Sequence, residues 1–136
     1  DALLSERDLT IRREVVEFDS QITIDADKIN QVLRNLLNNA VKFSPKGGII
    51  DIIIRSLENS VKVSVRDQGP GIPQNELEAV FDKFVQSSKT KTGAGGTGLG
   101  LAICREIIVA HKGRIWAENR PGGGAIFSFE IPLLRS

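Results

Sequence analysis

Methionine is missing from this 136-residue chain, and cysteine and histidine occur once each, as Cys104 and His111. Without a Met, Asp1 is not expected to be a native translation start, so the sequence reads as a fragment or a processed product. A lone thiol excludes an intrachain disulfide and fits a reducing compartment. One Cys and one His are too few for a metal cluster, and they suggest neither a Cys–His pair nor a Ser–His–Asp set. No apolar run approaches the roughly 20 residues that span a bilayer, and the N-terminus lacks the layout of a signal peptide. Charge is nearly balanced: 18 Lys and Arg face 17 Asp and Glu, for a net +1. That gives no pull toward nucleic acid or a membrane surface. What remains is 40% hydrophobic and 26% charged, ordinary for a soluble globular protein. Residues 1–136 have room for one domain and one core.

Periodicity supplies the elements. Leu9–Ile11, Val15–Val16 and Ile22–Ile24 suit extended structure. From Asp27 to Phe43 the apolar residues Ile29, Val32, Leu33, Leu36, Leu37 and Ala40 recur at three- and four-residue spacing, which predicts a helix with one buried stripe. Asp27 is a plausible N-cap, and Ser44-Pro45 with Gly47-Gly48 ends the helix. Ile49–Arg55 reads as a strand buried on both faces. Val61, Val63 and Val65 alternate with polar residues and complete a hairpin with it. A short helix over Gln74–Phe84 follows. Gln86–Gly98 has no apolar period and is expected to form a mobile loop. Leu99–His111 predicts a third helix, stopped by Gly113. Arg114–Glu118 and Ala125–Ile131 form a second hairpin closed through Pro121-Gly122-Gly123-Gly124.

Three groups could do chemistry. Asn35, Asn39 and Lys42 stand at i, i+4 and i+7, one polar row along the edge of the apolar stripe. An amide oxygen is a hard ligand suited to magnesium, and a lysine one turn on could neutralise phosphate; a solvated helix face would look the same. Asparagine is a poor helix former, however, and two of them mid-helix want a reason. Asp67 ends a strand just before Gly69 and Gly71. There a carboxylate could accept from an exocyclic amine such as that of adenine while glycines let a flat ligand approach, or it could simply cap the strand in a turn. Gly96-Thr97-Gly98-Leu99-Gly100 runs into a helix, an arrangement of amides and helix dipole that attracts phosphate; a flexible linker is the alternative. No Gly-Lys pair exists, which excludes a Walker A loop. Gly93, Gly95 and Gly98 match G-x-G-x-x-G, but a lysine-rich loop precedes them where a strand should stand. His111 suits a helix-capping or packing role, and Cys104 suits packing as a small apolar residue.

The order of these segments carries a resemblance. Asn35-Leu-Leu-Asn-Asn39-Ala-Val-Lys42-Phe43-Ser, Asp67-Gln-Gly69-Pro-Gly71-Ile, Phe81-Asp-Lys-Phe84 and Gly96-Thr-Gly98-Leu-Gly100-Leu-Ala-Ile closely resemble the N, G1, F and G2 boxes of sensor histidine kinases. The likeness runs from about Asp25 to Pro132 and includes Gly113-Arg-Ile-Trp116. That family belongs to the GHKL ATPases, with DNA gyrase and the heat-shock chaperone ATPases. The resemblance implies a two-layer α/β sandwich of the Bergerat type, with a mixed sheet packed against about three helices and a flexible ATP lid from about Asp82 to Thr97. It implies that Asn39 binds Mg2+, that Asp67 binds the adenine amino group, and that Lys42 lies near the phosphates. Gly69 and Gly71 would floor the base pocket, and Gly96, Thr97, Gly98, Leu99 and Gly100 would follow the phosphates. It further implies a cytoplasmic catalytic domain using ATP and Mg2+ in bacterial two-component signalling. Its partners would be the dimerisation and phosphoacceptor domain of the same kinase and a downstream response regulator, with no nucleic acid and no direct membrane contact.

Two positions depart from the patterns of relatives. Gyrase-type members carry a glutamate where Asn35 stands, and an amide cannot take a proton from water at neutral pH. That suits a kinase, whose nucleophile arrives on another domain. Many histidine kinases carry an arginine where Gln86 stands, so Lys83, Lys89 or Lys91 is left to supply that charge. Three alternatives are a gyrase- or chaperone-type ATPase fragment, a small serine kinase of the anti-sigma type, and a degenerate interaction module. The first wants a carboxylate at Asn35, the second fits Ala40–Ser44 and Gly100–Ile103 less well, and the third is at odds with Asn39, Asp67 and the glycines.

Overall fold

Five strands hydrogen-bond into one mixed sheet in a computed structural model that describes residues 9–16, 26–81 and 100–132. The strands are β1 (Thr10–Val16), β2 (Ile49–Ser56), β3 (Ser60–Arg66), β4 (Arg114–Asn119) and β5 (Ala125–Pro132), and their spatial order is β1-β2-β3-β5-β4. Only β1 and β2 run parallel, joined across helix α1 (Ala26–Phe43); β2–β3, β3–β5 and β4–β5 are antiparallel. Helix α2 (Gly100–Ala110) precedes β4.

Side-chain alternation decides which face is covered. Ile50 and Ile52 of β2, Val61, Val63 and Val65 of β3, and Phe127, Phe129 and Ile131 of β5 are buried with the apolar stripes of both helices. From α1 these are Ile29, Val32, Leu36, Ala40 and Val41, and from α2 Cys104, Ile107 and Ile108. The two helices meet through small and branched side chains, and the Cys104 thiol lies 3.8 Å from the Val32 carbonyl. Burial pushes the thiol pKa up to about 11, so Cys104 packs as an inert apolar group.

The opposite face carries Arg12, Asp51, Arg66, Ser64 and Ser128 in cross-strand register. Ile50, Asp51 and Ile52 are buried in succession, so β2 is buried on both sides there, and burial falls off toward the exposed Arg55. Asp51, in the middle of an isoleucine run, marks the face that no helix covers among the described residues, where Arg12 donates to its Oδ1 and Oδ2 at 2.7 and 3.1 Å.

Several expectations need correction. The described residues hold two α-helices, not three: Gln74–Phe84 resolves into two 3-10 turns, Gln74–Glu76 and Ala79–Phe81, with 82–84 outside the described residues. A turn of 3 residues is too short to present a helical stripe; the first turn buries none of its residues, and Val80 and Phe81 are buried from the second. Phe81 packs edge-on to Phe127 with ring centres 6.0 Å apart. Helix α1 starts at Ala26, so Asp27 lies inside the first turn and not at the N-cap, its charge still facing the helix's positive end. Leu9–Ile11 and Val15–Val16 fall along one continuous stretch into β1, while Ile22–Ile24 lies outside the described residues.

The third sequence helix spans Gly100–Ala110, with Ala110 exposed and Cys104 and Ile108 taking the buried positions. Its end is a Schellman motif: Gly113 N–H donates to the Ile108 carbonyl and Lys112 N–H to that of Val109, both at 2.9 Å. The left-handed residue is Lys112, at φ +63°, and not Gly113. Gly113 is required for space, because a Cβ there would collide with the Glu130 carbonyl oxygen. His111 turns its Nδ1 to the Ile107 carbonyl oxygen at 2.9 Å, a capping contact one helical turn back.

Candidate functional site

Strand β3 delivers Asp67 to the covered side of the sheet. Its neighbour Arg66 points to the open face and pairs with Asp51, so alternation turns Asp67 the other way, toward the helices. Asp67 is only 4% exposed. Its Oδ1 accepts from the Gly69 N–H at 2.9 Å and from the Ala125 N–H at 3.1 Å. The first of these is an Asx turn, so the capping geometry expected of an Asp-x-Gly segment is present. It occupies one oxygen only; Oδ2 accepts no hydrogen bond among the described residues. Burial pushes the Asp67 carboxyl above its ordinary value, and the Gly69 and Ala125 amides and the Arg120 charge offset this only in part. A buried carboxylate with one saturated oxygen and one unused oxygen is suited to accept from an amine brought by a ligand.

The glycines around it are there for close approach. A Cβ on Gly69 would stand 2.6 Å from the Phe43 carbonyl oxygen at the end of α1. Gly71, at φ +77°, passes so close to Asn119 that a Cβ would lie 2.8 Å from its Oδ1. Gln68 ties the same loop to the start of β2, accepting from the Ile49 N–H at 2.8 Å. The Asp67–Ile72 segment is thereby pressed against the C-terminal end of α1.

Asn35, Asn39 and Lys42 are all half-buried along α1, between its buried stripe and its exposed face. Asn35 lies at the junction with α2, its amide 3.5 Å from the Gly100 carbonyl oxygen. The amide of Asn39 has no hydrogen-bond partner among the described residues. Lys42 holds its ammonium 5.9 Å from the centre of the Phe43 ring. The polar row thus connects the first turn of α2 to the Asp67 loop. From Asn35 to Phe43 that is eight residues, about 12 Å along the helix axis. Contacts tie Gly100 to Asn35, and Gly69 to both Asp67 and Phe43 beside Lys42, while Gly71 lies against Asn119 and Gly124; Gly96, Thr97, Gly98 and Leu99 lie outside the described residues, as do Lys83, Gln86, Lys89 and Lys91.

The β4–β5 turn is a part of the site that the sequence did not reveal. Arg120 donates to the Asp67 carbonyl at 2.8 Å, and Asn119 bonds both the N–H and the carbonyl of Ile72. Gly124 has φ +98°, and a Cβ on it would collide with the Asp67 carbonyl oxygen. Three successive glycines, all at positive φ, are more than a hairpin needs to turn, and that excess was the available signal.

Among the described residues no group of three or more His, Cys, Asp and Glu side chains gathers into a metal cage. A cation held here would rely on an amide oxygen such as that of Asn39, completed by water and phosphate, which is the ligand set magnesium favours. Among the described residues, no helix is long and apolar enough to cross a membrane.

Known proteins resemble this chain in sequence and in fold. Residues 24–135 match a family model described as histidine kinase-, DNA gyrase B- and HSP90-like ATPase. The sensor histidine kinase WalK of Bacillus subtilis (strain 168) is 41% identical over 133 residues, covering 96% of this chain and 22% of WalK. The adaptive-response sensory kinase SasA of Synechococcus sp. (strain CC9311) is 40% identical over 128 residues, 93% of this chain and 33% of SasA. The chain therefore spans between a fifth and a third of these relatives. Among solved structures, the nucleotide-free catalytic domain of histidine kinase ThkA superposes with a TM-score of 0.83 at 37% identity, covering 96% of this chain and 84% of that one. Full-length ShkA in complex with AMPPNP gives 0.85 at 30% identity, over 99% of this chain and 28% of that one. ThkA in complex with the response regulator protein TrrA gives 0.80 at 35%, over 96% and 36%.

Proposed function

The chain belongs to the histidine kinase-, DNA gyrase B- and HSP90-like ATPases, among the catalytic domains of histidine kinases, and on that premise we propose that it binds Mg-ATP and donates the γ-phosphoryl group to a histidine on a separate dimerisation domain of the same kinase. The observation that carries this reading is Asp67, buried with Oδ1 saturated by two backbone amides and Oδ2 unused among the described residues. Adenine presents an amino group to such an oxygen, whereas guanine presents a carbonyl in the same place.

The remaining roles follow the order of groups along α1. With the base at Asp67 and the floor formed by Gly69 and Gly71, the phosphates run toward Asn39, Lys42 and the start of α2. Asn39 offers an amide oxygen to Mg2+, and Lys42 offers positive charge to phosphate oxygens. Gly100, the first residue of α2, offers a backbone amide to phosphate, and the family resemblance gives the same role to Gly96, Thr97, Gly98 and Leu99. Mg-ATP brings an activated phosphoryl group whose charge the cation partly neutralises. In the transfer, an imidazole nitrogen forms the N–P bond, the bond to the β–γ bridging oxygen breaks, ADP leaves with that electron pair, and the imidazole loses its proton. Asn35 has no basicity with which to activate water, so the arrangement favours transfer over hydrolysis. Support for nucleotide use also comes from the AMPPNP complex of ShkA, and support for a downstream response regulator comes from the ThkA–TrrA complex. We place the domain in the cytoplasm, where ATP is available.

The contact of His111 with the Ile107 carbonyl at the end of α2 supports a capping role for it, with the phosphoacceptor on another domain. Incubating this chain with γ-labelled Mg-ATP should leave it without acid-labile label, and adding a phosphoacceptor domain should produce labelled histidine on that domain. Label on the isolated chain that disappears in His111→Ala would overturn this reading. Asn39→Ala should keep the fold and remove most of the magnesium dependence of ATP binding; an unchanged dependence would reduce the row on α1 to a solvated helix face.

A further inference from the structure

We infer that Asn119 and Arg120, on the β4–β5 turn, are positioning residues that set base selectivity by fixing the Asp67–Ile72 segment. The inference rests on Asp67 being the adenine acceptor and goes beyond it by assigning the groups that aim it. Asp67 is the first residue past β3, and beyond Gly69 the chain must reverse through Gly71 at φ +77°, so no regular ladder restrains the loop. Asn119 replaces that ladder. Its Oδ1 accepts from the Ile72 N–H at 2.8 Å and its Nδ2 donates to the Ile72 carbonyl at 2.6 Å, so one amide side chain pairs with one residue's two backbone groups as a neighbouring strand would. Arg120 acts at the other end of the segment. Its Nη1 donates to the Asp67 carbonyl at 2.8 Å, and its own N–H is held by the Gly124 carbonyl at 2.9 Å. Ala125 then closes the frame, donating to Asp67 Oδ1 and accepting from the Asp67 N–H at 2.9 Å.

The carboxylate is thus gripped through its backbone and through Oδ1, which leaves Oδ2 with one direction to face. Arg120 also contributes charge. Its guanidinium lowers the Asp67 pKa against the upward push of burial and so favours the ionised acceptor. Asn119 is exposed, so truncating it opens no hole in the core, and its role is separable from folding.

The test measures Mg-ATP, Mg-GTP and inorganic tripolyphosphate affinities for the 136-residue chain, with thermal melting alongside. Asn119→Ala and Arg120→Ala should each weaken ATP about fivefold to tenfold, the worth of about one hydrogen bond. They should lower the ATP-to-GTP ratio by the same factor, leave tripolyphosphate unchanged, and Arg120→Lys should recover part of the ratio. Arg120→Ala should also shift the pH midpoint of ATP binding upward, which a purely structural residue would not do. Should either alanine variant fail to fold, Asn119→Ser and Arg120→Gln replace it under the same criteria. Folded variants with the wild-type ratio and pH midpoint would overturn the inference. Asp67→Asn is measured in parallel: if it too leaves ATP affinity unchanged, the adenine reading itself falls, whereas a loss in Asp67→Asn alone removes only the role of the turn.

Discussion

Two aspartates close together in the sheet, Asp51 and Asp67, are both buried and are treated in opposite ways. Asp51 faces Arg66 across the β2–β3 ladder, and Asp67 is the next residue after that arginine. On the uncovered face, Asp51 receives two bonds from Arg12 and a longer one of 3.4 Å from Arg66. The Arg12 hydrogen bonds, with the charges of Arg12 and Arg66, outweigh desolvation and hold its carboxyl below the ordinary value. On the helix face, Asp67 has backbone amides on one oxygen and the Arg120 guanidinium on its backbone carbonyl, with no cation bonded to its carboxylate among the described residues, and burial holds its carboxyl above the ordinary value. One charge is neutralised by the fold and belongs to it. The other is left under-compensated, which is the condition a ligand can relieve.

The sharpest way to break this comparison is to exchange each carboxylate for an amide. In Asp67→Asn the two backbone donors keep the amide oxygen at the Oδ1 position, so the NH2 group must stand where Oδ2 stood. A donor then meets the adenine amino group. ATP affinity should fall about ten- to a hundredfold, as for a lost bond to a charged group, and the preference for ATP over GTP should vanish or reverse. Removing an under-compensated buried charge should leave the melting temperature at pH 7 unchanged or raise it. Asp51→Asn should do the reverse: it lowers the melting temperature, because Arg12 and Arg66 lose their shared partner, and it leaves nucleotide selectivity alone. Calorimetric melting and nucleotide titration of both variants give four numbers, and any other pattern breaks the contrast.

Acid separates the two carboxylates next. Asp51 and Glu130 have folded pKa values below their ordinary 3.8 and 4.5, Asp51 chiefly through Arg12 and Glu130 chiefly through the Ser60 hydroxyl. Their stabilisation is present above those ordinary values and is lost as pH falls through the folded ones. Asp67 is raised, so the folded state holds its proton better between 3.8 and the folded value, and its contribution weakens the fold as pH rises through that window. ATP binding should therefore weaken as pH falls through the raised value of Asp67, above the pH at which Asp51 takes up its proton. Loss of binding and loss of fold at the same pH would contradict the difference between the two sites. The smallest effect belongs to His111→Ala, which removes the Nδ1 contact to the Ile107 carbonyl at the end of α2. It should cost about 0.5–1 kcal/mol of stability, measured by denaturant unfolding, with ATP affinity unchanged.

How legible all this was depends on whether the signal was local. The stripe on α1, the alternating valines of β3 and the glycine-bounded Asp67 are each set by near neighbours in sequence, and periodicity finds them. The burial of Ile50-Asp51-Ile52 on both faces was visible too, but the ion pair that Asp51 makes there depends on Arg12, 39 positions away. Gln74–Phe84 has enough apolar residues for a helix and too little length to settle between α and 3-10 geometry. The turn residues Asn119 and Arg120 are ordinary hairpin residues in sequence; only the β3–β5 pairing carries them to Ile72 and Asp67, 47 and 53 positions back. Such frames come from topology, which local pattern does not encode.

The central claim is that Asp67 Oδ2 is kept free for an exocyclic amine. Side-by-side titration of the wild-type chain and Asp67→Asn with Mg-ATP and Mg-GTP tests it most directly. The expected result is a wild-type preference for ATP of about ten- to a hundredfold, lost in the variant while tripolyphosphate binds both proteins equally. Comparable ATP and GTP affinities in the wild-type chain would contradict the claim, whatever the variant does.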